Sequence, residues 1–456
     1  MPSIVVLLRT AATALCAAFA GALVVGGLTA ACAATGETPA PLPPQRDLPT
    51  GGAPGGTTTS DPGAGNPTEE ILASLPPPLA QRGGGASGTP GDAAPAPRRS
   101  APPEMRILLT GVQKARRGRV RVRGAWRLVD VAGGALATGT ALDASLTLDG
   151  RPTLGATVLP RDGAVLVPGT PGDLRVDERR YPGTLRITPS VDGAWQVRVA
   201  TDLEAYLAGV VPGEIPATFP REAQRTQAII ARTYALSSIE RRPVGDVVLL
   251  SDSGGDDQEY VGIPEIEQHR AVALDAVATT HALVLCDGDL PLRAWYHSTC
   301  GGHTADATTV FPYPDREPLR GVTCSWCTSS KYFRWSTTLD PGDVVRAARL
   351  AGRLESFAIA ERDASGRATR FRVVAGGRTA LVKASEFRVA VGASALRSCR
   401  LDDVVLDADG LHVAGRGWGH GVGLCQVGAK ALAESGMRAE EIVRTYYPGA
   451  RLVRLW

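Results

Sequence analysis

The run "GRGWGHGVGLCQVGA", residues 415–429, places glycine at every second position from Gly415 to Gly423, with Arg416, Trp418, His420 and Val422 between them. In an extended chain alternate side chains point to opposite faces. One face would then carry Arg, Trp, His and Val while the other is bare backbone. Glycine inside a strand weakens it and marks close approach of a ligand or another backbone. The pattern predicts a backbone face open to a neighbour, with Trp418 and His420 presented opposite it. A tight glycine turn packed on the core, with Trp418 buried, is the alternative.

The chain carrying this run has 456 residues, more than one ordinary compact domain. Its formal charge of +3 is small and spread out, which points away from nucleic acid and from a strongly basic membrane surface. Arg9 precedes an uncharged apolar run from Thr10 to Ala30 and then "ACAA", the layout of an export leader over residues 1–33. Two other fates stay open for it: lipidation at Cys32, and retention as a membrane anchor. Residues 34–103 are rich in Pro, Gly, Ala, Ser and Thr and bury too little apolar surface to order, so they read as a tether. The expected location is therefore the cell envelope, with a possible membrane tether through the N-terminus.

The folded part is expected over 104–456. Stretches such as "RGRVRVRGAWRLVDVAGG" and "GTLRITPSVDGAWQVRVA" alternate apolar and polar residues around Asp-Gly-type turns, and 104–200 reads as β-rich. Helices are expected at 220–239, 268–280, 341–350 and 428–445. Together these give a β-rich α+β fold with few long helices, arranged as two lobes with a cleft.

The most informative block is "YLAGVVPGEIPATFPREAQRTQAIIARTYALSS", residues 206–238. Pro220 and Glu222 suit a helix start, where the missing N–H costs nothing and an acid meets the positive dipole end. Ahead of it Glu214 stands among Val210, Val211, Pro212, Ile215 and Pro216. A carboxyl in such surroundings has its pKa raised and serves as a proton donor near neutrality. Local sequence alone favours the plainer alternative, a solvated loop glutamate.

This block resembles the stage II sporulation protein D and amidase-enhancer family, which carries a similar "GVVPxE(I/M)P…AxxAQAxxARTYA" signature. Three further stretches are similar to family elements in the same order: "DSGGDDQEYVG" (252–262), "RAWYHSTCGGHTADATTVF" (293–311) and the glycine-rich run with its continuation to 452. The resemblance spans about 170–456. It implies an exported protein acting on peptidoglycan, a lytic transglycosylase cutting glycan strands stripped of stem peptides, with its catalytic acid at Glu214. It also leaves open a non-catalytic wall-binding protein that enhances a partner amidase. A zinc hydrolase is disfavoured, since no His-x-x-x-His cluster is present.

With the family in view, Arg232 is expected to brace Glu214 and His420 to assist the developing charge. Gln227, Tyr234, Gln258, Tyr260, His297, Ser298, Trp418 and Gln426 are expected to contact substrate. Gln258 and Tyr260, two apart, would share a strand face, and a glycine-lined strand would admit a glycan against its backbone.

Six cysteines lie beyond the leader, at 286, 300, 324, 327, 399 and 425. In an exported chain they favour disulfides, first between Cys300 and the Cys324/Cys327 pair. Zinc at Cys300, His303, Cys324 and Cys327 has suitable spacing and is the weaker alternative. Sporulation members of the family bind zinc through Cys and His around the Asp-Ser…Gln element. Here that stretch reads "LLSDSGGDDQEY", without either residue, so no metal is carried over and no cofactor is expected.

Overall fold

Alternation decides the first hundred folded residues. Val120 and Val122, Leu146 and Leu148, Leu185 and Ile187 turn inward and are buried while the residues between them stay nearer solvent, and strand residues Val197 to Thr201 are buried on both faces. The computed structural model describes residues 99–190, 192–240, 250–252 and 257–456. The leader, and all but the end of the Pro/Gly-rich stretch, lie outside the described residues.

Two sheets share the first apolar cluster. One has seven strands in the order Leu250–Ser251, Glu104–Leu108, Trp195–Asp202, Thr184–Pro189, Ala164–Pro168, Trp126–Asp130 and Ala135–Gly139. It is antiparallel except at the Leu250–Ser251 edge. The other has six strands around Arg117–Val122 and Leu142–Thr147. The long strand Trp195–Asp202 runs directly into helix Leu203–Glu214, because the Asp202 carboxylate accepts from the Ala205 amide at 2.9 Å and caps it.

Helix Arg221–Glu240 is the axis of the remainder. It packs against helices Leu203–Glu214, Glu267–Thr279, Gln426–Glu434 and Ala439–Tyr446, and against strand Leu283–Asp287. From Gln227 to Ser238 it is buried on every side. A second apolar cluster joins this helix to the two C-terminal helices, and a third fills a unit built from strands and helices between Trp335 and Val413.

The β-rich α+β class expected from the sequence is the one that forms. Two details differ. Helix Leu203–Glu214 was not expected, since "GVVPGE" carries two glycines and Pro212; its apolar face, Leu203, Tyr206, Leu207, Val210 and Val211, is wholly buried and overrides that weak propensity. The single helix expected at 428–445 is two, because Gly436 adopts φ +91° and ends the first turn of chain. Among the described residues no helix is long and apolar enough to cross a membrane.

Candidate functional site

Glu214 is the last residue of helix Leu203–Glu214, not a loop residue. Two groups hold its carboxyl: the Glu259 amide donates to it at 2.8 Å, and the Tyr296 hydroxyl hydrogen-bonds to it. The preceding Gly213 explains the first contact. A Cβ there would lie 2.4 Å from the Glu259 carbonyl oxygen, so any larger residue would push the 258–262 segment away from the acid.

A buried chain of donors leads to the same carboxyl. Tyr206 donates to Gln258 Oε1 at 3.3 Å, and Gln258 Nε2 donates to the Tyr296 hydroxyl at 3.2 Å, leaving that hydroxyl free to donate to Glu214. Bonds aligned in one direction polarise one another and favour the carboxylate. Desolvation opposes them and wins. The residue keeps a partly open surface, but its carboxyl is packed deeply, and the pKa is pushed up to about 7. Its place at the negative end of a helix dipole works in the same direction. The Glu259 charge raises it further. Glu259 also lines a cavity of about 430 Å³ with Thr110, Asp177, Arg179 and Asp252, in which Glu214 takes no part.

Gln426, which opens helix Gln426–Glu434, donates to the Glu214 carbonyl at 3.4 Å and to Gln227 Oε1 at 3.3 Å. The last motif is thereby tied to the acid helix. The glycine-rich run reaches it through pairing with the 295–305 segment. Strand Tyr296–His297 lies parallel to Leu424–Cys425, Thr299 and Trp418 exchange both backbone hydrogen bonds, and the Ala305 amide donates to the Gly421 carbonyl.

This pairing answers the question posed by the glycines. Gly417, Gly419, Gly421 and Gly423 all have φ between +70° and +113°, so the run is not the extended strand expected. The backbone coming close to it is the chain's own and not a glycan: a Cβ on Gly423 would lie 2.0 Å from the Trp295 carbonyl oxygen. Trp418 stays partly exposed with its ring edge-on to Tyr332 at 4.1 Å.

His420 does not bond to Glu214 among the described residues. The Val422 amide donates to its Nδ1 at 3.0 Å, which assigns the proton to Nε2, and the ring also bonds to the Tyr296 backbone. Burial, with Arg388 and Arg367 nearby, drops its pKa to about 3, so the ring is neutral. It holds the strand that carries Tyr296. His420 keeps a partly open surface, whereas His297 is buried, donates from Nδ1 to the Val422 carbonyl at 3.1 Å, and is held neutral by desolvation.

Arg232 requires a correction. Its guanidinium is fully buried and grips Glu204, at 2.7 Å from Nη2 and 3.0 Å from Nε, rather than Glu214. The Ala282 amide adds a third bond to the Glu204 carboxylate. Burial also corrects several expected substrate contacts. Gln227, Gln258, Tyr260 and His297 are almost wholly enclosed, and Tyr260 packs at a tilt against Tyr206 and Tyr181 in the core. The two-residue spacing of Gln258 and Tyr260 does bring both to Tyr206, but on its inner side. Tyr234 lies under the Arg293 guanidinium, which donates to its hydroxyl at 2.8 Å. Ser298 and Gln426 keep partial exposure. The residues missed by the sequence reading are Tyr296 and Glu259. Both adjoin chosen positions, His297 and Gln258, and the alternation of side chains was the available signal.

No described cysteine forms a disulfide. Cys300 and Cys327 come to 3.4 Å between sulfurs, well beyond a bonded pair of about 2.05 Å. Cys324 and Cys425 join them, whereas His303 turns away to the Thr304 carbonyl at 2.7 Å.

Residues 191–286, which include Glu214, Arg232 and Gln258, match the family model described as Stage II sporulation protein. Stage II sporulation protein D of Bacillus subtilis is 28% identical over 270 residues, covering 55% of this chain and 74% of that protein. An uncharacterized protein of Brachyspira hyodysenteriae is 28% identical over 281 residues, covering 60% and 72%. The amidase enhancer of Bacillus subtilis is 27% identical over 297 residues, covering 54% of this chain but 40% of that protein. On this match and these relatives, the chain is similar to the stage II sporulation protein D and amidase-enhancer family, as its motifs imply.

Proposed function

We propose that this chain acts on peptidoglycan glycan strands as a lytic transglycosylase, with Glu214 as acid and then base. The observation that carries the reading is a deeply packed carboxyl, without a cationic hydrogen-bond partner among the described residues and half-protonated near neutrality, at the position of the family's catalytic glutamate. Glu214 gives its proton to the glycosidic oxygen as the bond from C1 breaks. The resulting carboxylate takes the proton of the same sugar's C6 hydroxyl as that oxygen bonds to C1, closing an anhydro ring without consuming water. The Glu259 amide and Tyr296 hydroxyl stabilise the transient carboxylate, and His420 acts as a positioning residue through the Tyr296 strand. Trp418, Ser298 and Gln426 are the expected residues with surface left for sugar. Export through the leader, with residues 34–103 as a tether, would place the chain at the wall.

The second reading, a wall-binding enhancer of a partner amidase, is favoured by the relative of that name. Mass analysis of products from purified stem-free glycan separates the two. Anhydro ends support the enzyme, and Glu214→Gln is expected to reduce their formation by about 10²–10⁴-fold with the fold retained. Near wild-type cleavage by that variant removes Glu214 from the mechanism. Reducing ends instead would point to hydrolysis, with water in place of the C6 hydroxyl as the attacking group. Binding with amidase stimulation and no cleavage by the wild type supports the enhancer.

A further inference from the structure

Three stretches far apart in sequence bring four buried thiols to one point. The Sγ atoms of Cys300, Cys324, Cys327 and Cys425 all lie within 4.8 Å of one another. We propose that these four residues hold one structural zinc ion as a closed tetrathiolate, independently of the catalytic reading. It is a different site from the Cys and His cluster of the sporulation branch, whose stretch here lacks both residue types.

Geometry is the first argument. Zinc–sulfur bonds of about 2.3 Å in a tetrahedron set sulfur–sulfur edges of roughly 3.8 Å. The cluster has that scale, with Cys300 and Cys327 at 3.4 Å, whereas a disulfide would draw one pair much closer. A sulfide-bridged iron cluster would hold its four cysteines farther apart. Cys324 and Cys327 form a C-x-x-C pair running into the short turn Trp326–Ser329, the usual arrangement for two ligands from one loop.

Hydrogen bonding is the second. The Gly302 amide points at Cys300 Sγ at 3.3 Å, and the amides of Cys300 and Gly428 point at Cys425 Sγ at 3.3 and 3.4 Å. The Tyr446 hydroxyl lies 3.2 Å from Cys324 Sγ. A thiol sulfur is a weak acceptor, so this number of donors suits thiolates.

Charge is the third. Arg367 is 2% exposed and spans the site, donating to the carbonyls of Cys300 at 2.6 Å and His303 at 2.7 Å. Among the described residues it has no carboxylate ion pair, and its buried Nε has no partner. Arg400 beside Gly302 also carries an unpartnered buried nitrogen. Asp363 and Asp402 offset part of this charge, and four neutral thiols would add nothing to that offset. A divalent ion with four thiolates is a dianion and balances the rest.

The ion would clamp the two strands that form the site. Cys300 lies four residues beyond Tyr296, and Cys425 pairs with His297 across the parallel strands. The test is elemental analysis of the full chain purified without added metal or reductant. One zinc per chain is expected, with Cys300, Cys324, Cys327 and Cys425 unreactive toward a thiol reagent until denaturant and chelator are added together. Cys324→Ser should lose the zinc, and Cys425→His, which still supplies a ligand, should keep it. Cys286→Ser with Cys399→Ser should also keep it. In case Cys324→Ser does not fold, cobalt exchanged into the wild type should give the visible absorption of a tetrahedral thiolate site. Zinc absent with an intact mass lowered by disulfide formation overturns the proposal, as does iron in place of zinc.

Discussion

Helix Leu203–Glu214 begins and ends with a glutamate that has left bulk water, and the two have opposite fates. Glu204, in the first turn, is 5% exposed and is gripped by Arg232 with the Ala282 amide in support. Glu214, in the last turn, is held by a neutral amide and a neutral hydroxyl and has no cationic hydrogen-bond partner among the described residues. The helix dipole favours the first as an anion and disfavours the second. Burial with a matched cation fixes a charge and makes scaffold. Burial with neutral donors alone leaves a proton that titrates near neutrality, which is what proton transfer needs.

The largest effect is expected from breaking the scaffold pair. Glu204→Gln leaves Arg232 charged and enclosed, which should cost about 3–5 kcal/mol in denaturant unfolding. Glu204→Leu combined with Arg232→Met should recover most of that loss, since a well-packed apolar pair avoids desolvating charge. A Glu204→Gln protein as stable as wild type would mean that the pair is not structural.

The second test sharpens the contrast through pH. Glu214 has a folded pKa of about 7 against a reference of 4.5, so between those values the folded state binds the extra proton. Stability of the wild type relative to Glu214→Gln should therefore fall as pH rises from about 4.5 to about 7, and level off above. Each pKa unit is worth about 1.4 kcal/mol, which sets an upper bound of about 3.5 kcal/mol. A difference that stays flat across this range would place the carboxyl in ordinary solvent contact. In the proposed reaction, activity should decline as pH climbs through the same folded value, because the acid form is lost.

The smallest effect belongs to Tyr296→Phe. Removing a donor to the carboxylate should cost the ionised form about 1 kcal/mol and lift the Glu214 pKa by less than one unit. The falling limb of the pH–activity profile should then move upward. A downward movement would show that Tyr296 does not donate to the acid.

Much of this arrangement is legible in the linear chain. Alternating valines and leucines with Asp-Gly turns mark the strands, and the small-residue run after Pro220 marks helix Arg221–Glu240 to within a residue. Glu214 stands out only through the family resemblance, since local sequence alone favours a solvated loop glutamate. The alternating glycines announce a close backbone approach, and one occurs. These features are local: side-chain period, turn chemistry and missing Cβ atoms act within a few residues.

Partnership is not local. The sequence reading has Arg232 as a buried-pair partner of Glu214, but the cation meets Glu204 because the packing of two helices aligns those turns. His297 is the chosen residue of "YHS", yet its neighbour Tyr296 faces the acid, since alternation does not say which face of a strand meets which segment. His303 has the right spacing to join Cys300, and Cys425 joins instead, delivered by the parallel pairing of Tyr296–His297 with Leu424–Cys425. The sequence determines which groups are available and which backbone can come close. The tertiary structure decides which of them meet, because burial of distant apolar faces sets the register in which the segments lie together.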